Sequence, residues 1–543
     1  MTNFRQIFEN DFCGTDKFLD EVLKPIFGDY EKGYDELTSG DDEKERAKSA
    51  NIEKIRHAAT FDFFGSELKV FDVTVSDRKK LENNRVGIQS IVRQYIAQFE
   101  GALIVFHHQN VHNQEWRLSY VEKRTNAKDS TSAKRYTYIL GKGHPAKTIT
   151  DNFKNLANDR DILTISDLTN AFSVAPLSNE FFDEYREHYA SLVEYISGKR
   201  FIKKGGKFVE EKTKNANGAF KNAFGGDDKL VRDYVKKMMG RLVFLHFLQK
   251  KGWLGVPQNA EWGNGDKNFI YNLFNKASED VKKDFLEQAL EPLFFKTLNI
   301  DRGEDAIAPK AICDIYGSKI RIPYLNGGLF EEDELDKKKV KFKKEHFEAL
   351  LTFFSQYNFT IDETDPDDQE IGVDPEMLGK IFENLLEDNK DKGAFYTPKE
   401  IVQYMCRESL IAYLEERSLS KVEMNGASAT LSNRVRNFVL NHDASSFSEG
   451  EKATILNALL NVKVCDPAVG SGAFPMGMLN ELLACTQLLT GNSKSRAELK
   501  KHIVKNNIYG VDIEKGAVDI ARLRFWLAII VDEEEPIPLP NLD

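Results

Sequence analysis

The spacing of hydrophobic and polar positions divides this chain into three sections. In the first, residues 1–175, short apolar runs dominate: Ala59 to Phe64 and Leu68 to Val75 flank Gly65-Ser66 as the strands of a β-hairpin would. Ala102 to Phe106, Trp116 to Val121 and Tyr136 to Leu140 read as further strands. Between them, Val86, Ile88, Ile91, Val92, Tyr95 and Ile96 give Arg85 to Phe99 the apolar face of a helix. The set predicts an α/β or α+β unit of nuclease-like proportions. Over 176–373 the spacing turns helical. Leu230 to Gln249 places Val231, Val235, Met238, Leu242, Leu245 and Leu248 at intervals of three and four, and Lys251-Gly252-Trp253-Leu254-Gly255 ends the run with glycine punctuation.

The third section, 374–543, opens on Asp374-Pro375-Glu376, which supplies an N-cap, a first-turn proline and an early carboxylate for a helix whose apolar side is Leu378, Ile381, Phe382 and Leu385. Further on, the apolar run Val462 to Cys465 leads into Asp466-Pro467-Ala468-Val469-Gly470-Ser471-Gly472-Ala473-Phe474 and then a helical pattern. Strand, glycine turn and helix form a layout in which a nucleoside cofactor can lie against bare backbone. Gly470 and Gly472 remove side chains at the point of approach and accept positive φ. Two segments accompany this turn: Gly393-Ala394-Phe395-Tyr396-Thr397-Pro398 upstream and Ile508-Tyr509-Gly510-Val511-Asp512-Ile513-Glu514 downstream. The second reads as a strand ending in acid, from which a carboxylate can take both hydroxyls of a ribose. Asp512 ends that strand directly, and Glu514 competes with it. A helix over Gly516 to Ile530, with Ile520, Leu523, Trp526 and Leu527 on one side, is expected to seal the sheet.

In content and order these segments resemble the amino-methylating DNA methyltransferases, in particular the adenine-directed branch found in type IIG restriction-modification proteins. The resemblance implies an α/β chain: a nuclease-like unit, a helical connector over 176–373, and an incomplete Rossmann-like class I methyltransferase domain over 374–543. It implies S-adenosylmethionine as cofactor, with Tyr396, Thr397 and Pro398 enclosing the methionine end. Asp466 would accept from the ammonium group, the Gly470 to Gly472 backbone would pack on the amino-acid and ribose portions, Phe474 would cover part of the site, and Asp512 would hold the ribose. The reaction implied is methyl transfer to the N6 of a flipped adenine in double-stranded DNA, in a restriction-modification or phage-defence system. Arg232 to Lys251 and Pro323-Tyr324-Leu325-Asn326-Gly327-Gly328-Leu329-Phe330 also resemble segments that precede the methyltransferase core in such proteins. The Asn-Pro-Pro-Tyr segment that grips the target base in the family does not occur in the 543 residues, nor does any Asp-Pro-Pro or Ser-Pro-Pro. No catalytic residue is therefore assigned, and the chain is expected to be the front part of a longer enzyme, inactive alone. A magnesium-dependent endonuclease and a noncatalytic DNA-binding or assembly subunit are the alternatives.

The endonuclease alternative rests on carboxylates. Magnesium nucleases gather an acidic residue from one strand and an acidic-x-Lys triplet from the next. Asp62 and Asp72 sit at suitable strand positions and are the candidate Mg2+ ligands, but the triplet reads Asp72-Val73-Thr74. Glu67-Leu68-Lys69 has the right letters and begins in the expected turn. His107, His108 and His112 fall between two expected strands without a nearby carboxylate, and read as exposed turn residues.

Composition narrows the class. With 41% hydrophobic and 30% charged residues, no apolar run long enough to cross a membrane and no signal-peptide layout at Met1-Thr2-Asn3-Phe4-Arg5, a soluble cytoplasmic protein is expected. The five cysteines lack metal-ligand spacing, and Cys406 and Cys465, in apolar runs, read as core. A net charge of −11 conceals a basic stretch: from Lys199 to Lys251, fifteen Lys and Arg stand against five Asp and Glu. Such a stretch suits tracking of DNA phosphates, or equally a solvated helical face with a lysine-rich loop.

Overall fold

The computed structural model describes residues 3–33, 52–63, 66–76, 101–112, 114–122, 134–204, 207–325, 328–360, 368–379, 397–419 and 428–542. The helix expected over Arg85 to Phe99, the side chains Ile381, Phe382 and Leu385, and Tyr396 lie outside these residues. The chain forms two compact units, one of Met1–Asp183, Thr352–Thr360 and Thr364–Val373, the other of Glu184–Leu351, Ile361–Glu363 and Asp374–Asp543.

The first unit is built on a seven-stranded sheet of β1 (Tyr30–Lys32), β2 (Ile52–Phe63), β3 (Ser66–Val75), β4 (Gly101–His108), β5 (Trp116–Glu122), β6 (Lys134–Leu140) and a late strand, Asp368–Glu370, in that spatial order. The expected hairpin is present, with Phe63 opposite Ser66, and it extends back to Ile52. β4 runs parallel to β3, and Asp368–Glu370 runs parallel to β6; the other pairings are antiparallel. β4 has strands on both sides and is buried along nearly its whole length, which is why it reads as a continuous apolar run. Aromatic side chains fill the space beneath the sheet: Phe8 meets Phe153 edge-on at 5.4 Å, and Phe18 meets Trp116 likewise at 5.8 Å.

The histidines depart from expectation. His107 and His108 belong to β4 and are not exposed; only His112 lies in the turn, with its side chain 84% exposed. The strand continues through them because β3 supplies backbone partners as far as Thr74 opposite His107 and Val75 opposite His108. That same pairing brings a carboxylate, Asp72, to His107.

In the second unit the helix Asp228–Lys250 starts where the Asp227 side chain accepts the N–H groups of Lys229 and Leu230 at 2.8 and 3.2 Å. Its C-terminal half is buried all round, from Met238 to Gln249. Arg241, buried, donates to Asp336 at 2.5 and 3.0 Å and to the Leu329 and Glu331 carbonyls at 2.6 and 3.1 Å. It thereby ties this helix to the Pro323 to Phe330 segment, where Phe330 packs on Phe244 at 5.7 Å.

The basic stretch is compensated in part from outside itself. Arg200 pairs with Glu187 and Glu194, Lys214 with Glu194, Lys237 with Asp333 and Asp336, and Arg241 with Asp336. Its hairpin, β7 (Lys199–Lys204) and β8 (Lys207–Lys212), forms a separate two-stranded sheet.

Toward the end of the chain, helices Lys399–Leu419, Ser428–Asn441, Glu449–Asn461, Ala473–Thr490, Arg496–Asn506 and Lys515–Val531 accompany two short parallel strands, Val464–Asp466 and Ile508–Gly510. Capping boxes start two of these helices, Ser448 with Glu451 and Ser495 with Glu498. Leu410, Leu414, Val435, Phe438, Leu479, Leu482 and Ile529 share one apolar core. Cys406 and Cys485 are buried in it, but Cys465 is exposed. Cys465 lies directly opposite Tyr509, itself 48% exposed, so this register puts both on the outward side of the strand pair.

Candidate functional site

The glycine turn is held by backbone bonds between the two strand ends. Val511 N–H donates to the Asp466 carbonyl and Val469 N–H to the Val511 carbonyl, each at 2.9 Å. Gly470 and Gly472 both take positive φ, +51° and +88°, and Gly472 is the residue from which the Ala473–Thr490 helix departs. The Gly470 N–H donates to Asp512 Oδ2 at 2.9 Å, and Asp512 Oδ1 accepts the Glu514 N–H at 2.9 Å. Asp512 thus shapes the turn. Each of its oxygens retains a second lone pair for another donor.

Asp466 is different. Its Oδ1 accepts the Ala468 N–H at 3.0 Å, whereas Oδ2 is buried and has no hydrogen-bond partner among the described residues. A buried, unsatisfied carboxylate oxygen is costly unless a donor reaches it. A ligand ammonium group is such a donor, so the residues present fit an amino-acid-bearing cofactor. Burial, together with the charges of Glu481 and Asp466, pushes the Cys406 thiol up to about 12, which keeps it neutral beside this carboxylate.

Of the other candidates, Thr397 is half-buried and the Pro398 carbonyl accepts the first N–H groups of the Lys399–Leu419 helix, from Ile401 and Val402 at 3.0 and 3.1 Å. That helix reaches the turn through Cys406, whose Sγ lies 3.6 Å from the Phe474 carbonyl oxygen. Phe474 packs partly buried against the core. Sequence reasoning missed Arg524. It is buried on the Lys515–Val531 helix and donates to the Ser471 carbonyl at 2.9 Å, fixing the middle of the turn. The available signal was a lone charge inside the apolar run Leu523 to Ile530, which must find acceptors.

In the first unit Asp62 and Asp72 are not brought together. Asp62 pairs with Glu67, Asp72 lies five residues further along β3 and so faces the other side, about 17 Å away by strand rise. Asp72 is buried among donors: Oδ2 accepts from Thr15 Oγ1 and from Arg56 at 2.9 Å, and Oδ1 lies 2.8 Å from His107 Nε2. Burial would raise its carboxyl, but the hydrogen bonds from His107 and Thr15 and the charges of His107 and Arg56 hold it below the ordinary range. Glu67 pairs with Lys69 at 3.5 Å. Among the described residues no group of three or more His, Cys, Asp or Glu is placed to hold a metal ion, and no helix is long and apolar enough to cross a membrane.

Residues 443–535 match the family described as MmeI, DNA-methyltransferase domain. A protein of Methanocaldococcus jannaschii, named as a candidate type II restriction enzyme and methyltransferase, is 30% identical over 397 residues, 68% of this chain and 31% of the relative. The chain thus spans about a third of the length of that curated relative. Among solved structures, the type IIL restriction-modification enzyme MmeI in complex with DNA aligns at 18% identity and a TM-score of 0.34 over 55% of this chain and 33% of that one. A DrdV–DNA complex aligns at 11% identity and a TM-score of 0.25 over 89% and 35%. The chain belongs to the restriction-modification enzyme and methyltransferase family.

Proposed function

We propose that this chain is the N-terminal part of a site-specific adenine (N6) DNA methyltransferase of a restriction-modification or phage-defence system, acting on double-stranded DNA with S-adenosylmethionine. The observation that carries this reading is the buried, unsatisfied Asp466 Oδ2 beside a turn whose two glycines take positive φ and whose backbone is anchored to Asp512. Asp466 holds the cofactor ammonium, the Gly470 to Gly472 backbone lies against the amino acid and ribose, and Asp512 offers its remaining lone pairs to the ribose hydroxyls. Thr397, Pro398 and Phe474 border the methionine end. The cofactor, when bound, supplies an electrophilic methyl on sulfur; no Asn-Pro-Pro-Tyr segment to grip the base occurs in these 543 residues.

Calorimetric titration of the chain with S-adenosylmethionine tests the site. A charge-assisted hydrogen bond contributes roughly 1.5–3 kcal/mol, so Asp466→Ala is expected to weaken binding about 10- to 100-fold. Asp512→Ala weakens it as well, by loosening the turn and removing the ribose acceptor. Wild-type affinity in both variants would overturn the site. The reaction is tested on the full-length gene product, whose intact mass shows whether it exceeds 61.9 kDa. Mass spectrometry of nucleosides from treated DNA is expected to show N6-methyladenine; a methylated cytosine instead would refute the adenine assignment.

A further inference from the structure

We infer that Gly379 is a positioning residue for the cofactor turn, an inference that rests on the cofactor site proposed above. Its missing side chain lets the helix that opens after Asp374 pack directly on Ser471, holding the peptide between Gly470 and Gly472 in the shape that receives the cofactor.

The turn itself creates the need for such a hold. Ser471 stands between two glycines at positive φ, the residue type with the widest backbone freedom, so the middle of the turn is weakly constrained from within. Bonds at either side fix the flanks: the Gly470 N–H donates to Asp512 Oδ2 and the Gly472 N–H to the Val469 carbonyl, each at 2.9 Å. Ser471 is held from other elements. Its carbonyl accepts from Arg524 at 2.9 Å, and the residue is only 1% exposed.

Gly379 is part of the surface that buries it. Residues 375–379 are helical, starting where Asp374 Oδ1 accepts the Met377 N–H at 2.8 Å, and Gly379 is buried. A Cβ at position 379 would lie 2.6 Å from Ser471 Oγ, 3.1 Å from Ser471 Cβ and 3.3 Å from Arg524 Nη1. The first of these distances is a collision. Ser471 is enclosed, so relieving it shifts the residue and its backbone together. The neighbouring glycines then pass the shift to the peptide groups that lie against the cofactor. Glycine within a helix is less favourable than alanine, and one that is kept there has a packing reason; contact with this turn supplies it.

Calorimetric titration of the whole chain with S-adenosylmethionine, with a melting curve for each variant, tests the role. Gly379→Ala is expected to bind at least about tenfold more weakly than wild type, because the turn no longer waits in the binding shape. Ser471→Gly removes both Ser471 atoms that a Cβ at 379 would meet, so adding Gly379→Ala to it is expected to change affinity by less than about threefold. Leu378→Ala, at a fully buried position on the same helix, opens a cavity instead of pushing on the turn; it is expected to lower the melting temperature and keep affinity within about threefold of wild type. Where Ser471→Gly alone binds too weakly to titrate, the comparison of Gly379→Ala with Leu378→Ala decides.

The positioning role is excluded if Gly379→Ala binds as tightly as wild type, or if it weakens binding as much in the Ser471→Gly background as without it. It is excluded equally if Leu378→Ala weakens binding as much as Gly379→Ala, or if Gly379→Ala does not fold, since the contact is then structural. No binding by the wild type would refute the cofactor site and this role together, whereas wild-type binding with an unaltered Gly379→Ala refutes the role alone.

Discussion

At the scale of single residues, side chains whose partners lie a few positions away were legible, and those whose partners are distant were not. Gly470 and Gly472 announce themselves because a sharp strand-to-helix turn demands positive φ, and both adopt it. His107 could not be read correctly, because Asp72 stands 35 residues earlier and reaches it only through parallel pairing. Their coupling predicts a pH window. His107 is raised above its ordinary 6.5, so its contribution to stability is complete below 6.5 and is lost as pH climbs through the raised value. Asp72 is lowered below 3.8, so its contribution is complete above 3.8 and is lost as pH falls through the lowered value. The stability difference between wild type and His107→Gln, from denaturant unfolding of the first unit, is therefore expected to peak between pH 3.8 and 6.5. A difference that stays flat from acid to alkaline pH would contradict the ion pair.

Among elements, those that bury one continuous face were visible and those that mix charge into a buried edge were not. The helix expected over Leu230 to Gln249 is found as Asp228–Lys250. β2 begins at Ile52 rather than Ala59, because Glu53, Lys54 and Arg56 break its apolar pattern while Ile52 and Ile55 stay buried. Cys465 was read as core from its neighbours, yet a strand paired on one side leaves it outward. The basic stretch shows the limit of counting charges, since Glu187, Glu194, Asp333 and Asp336 neutralise part of it from elsewhere in the chain. Caps are local and testable. Ser495 accepts the Glu498 N–H while Glu498 accepts the Ser495 N–H, so Ser495→Ala is expected to cost about 1 kcal/mol of the second unit's stability. Ser495→Asp, which restores an acceptor, recovers most of it. Equal melting of all three proteins would remove the cap from the account.

For the whole molecule, the sequence suggests three sections while the packing forms two units, the later one spanning residues on both sides of 374. The ties responsible are long-range and invisible to local pattern: Leu539 N–H donates to the Leu325 carbonyl at 2.6 Å, and Lys251 Nζ to the Val531 carbonyl at 2.7 Å. Each unit has its own apolar interior, with Phe153 fully buried in the first and Leu479 in the second. Truncating a buried Phe costs about 3–5 kcal/mol and a Leu about 2–5. Phe153→Ala is expected to accelerate amide hydrogen exchange in β4 and β5 and leave the Ala473–Thr490 helix protected, and Leu479→Ala the reverse. Uniform acceleration across both units in either variant would show that they unfold together.

The late strand Asp368–Glu370 carries a consequence for synthesis. Its register partner for Asp368 is Arg135, so the outer edge of β6 receives its neighbour only after more than two hundred further residues have been made. At about 5–20 residues per second that edge waits roughly 10 to 50 seconds as the ribosome moves on. An unpaired edge is a template for the wrong strand, and a crowded polysome holds many identical copies. Slower translation between codons 140 and 370 is therefore expected to lengthen the exposure of that edge and to lower the soluble yield, which expression from recoded genes measures.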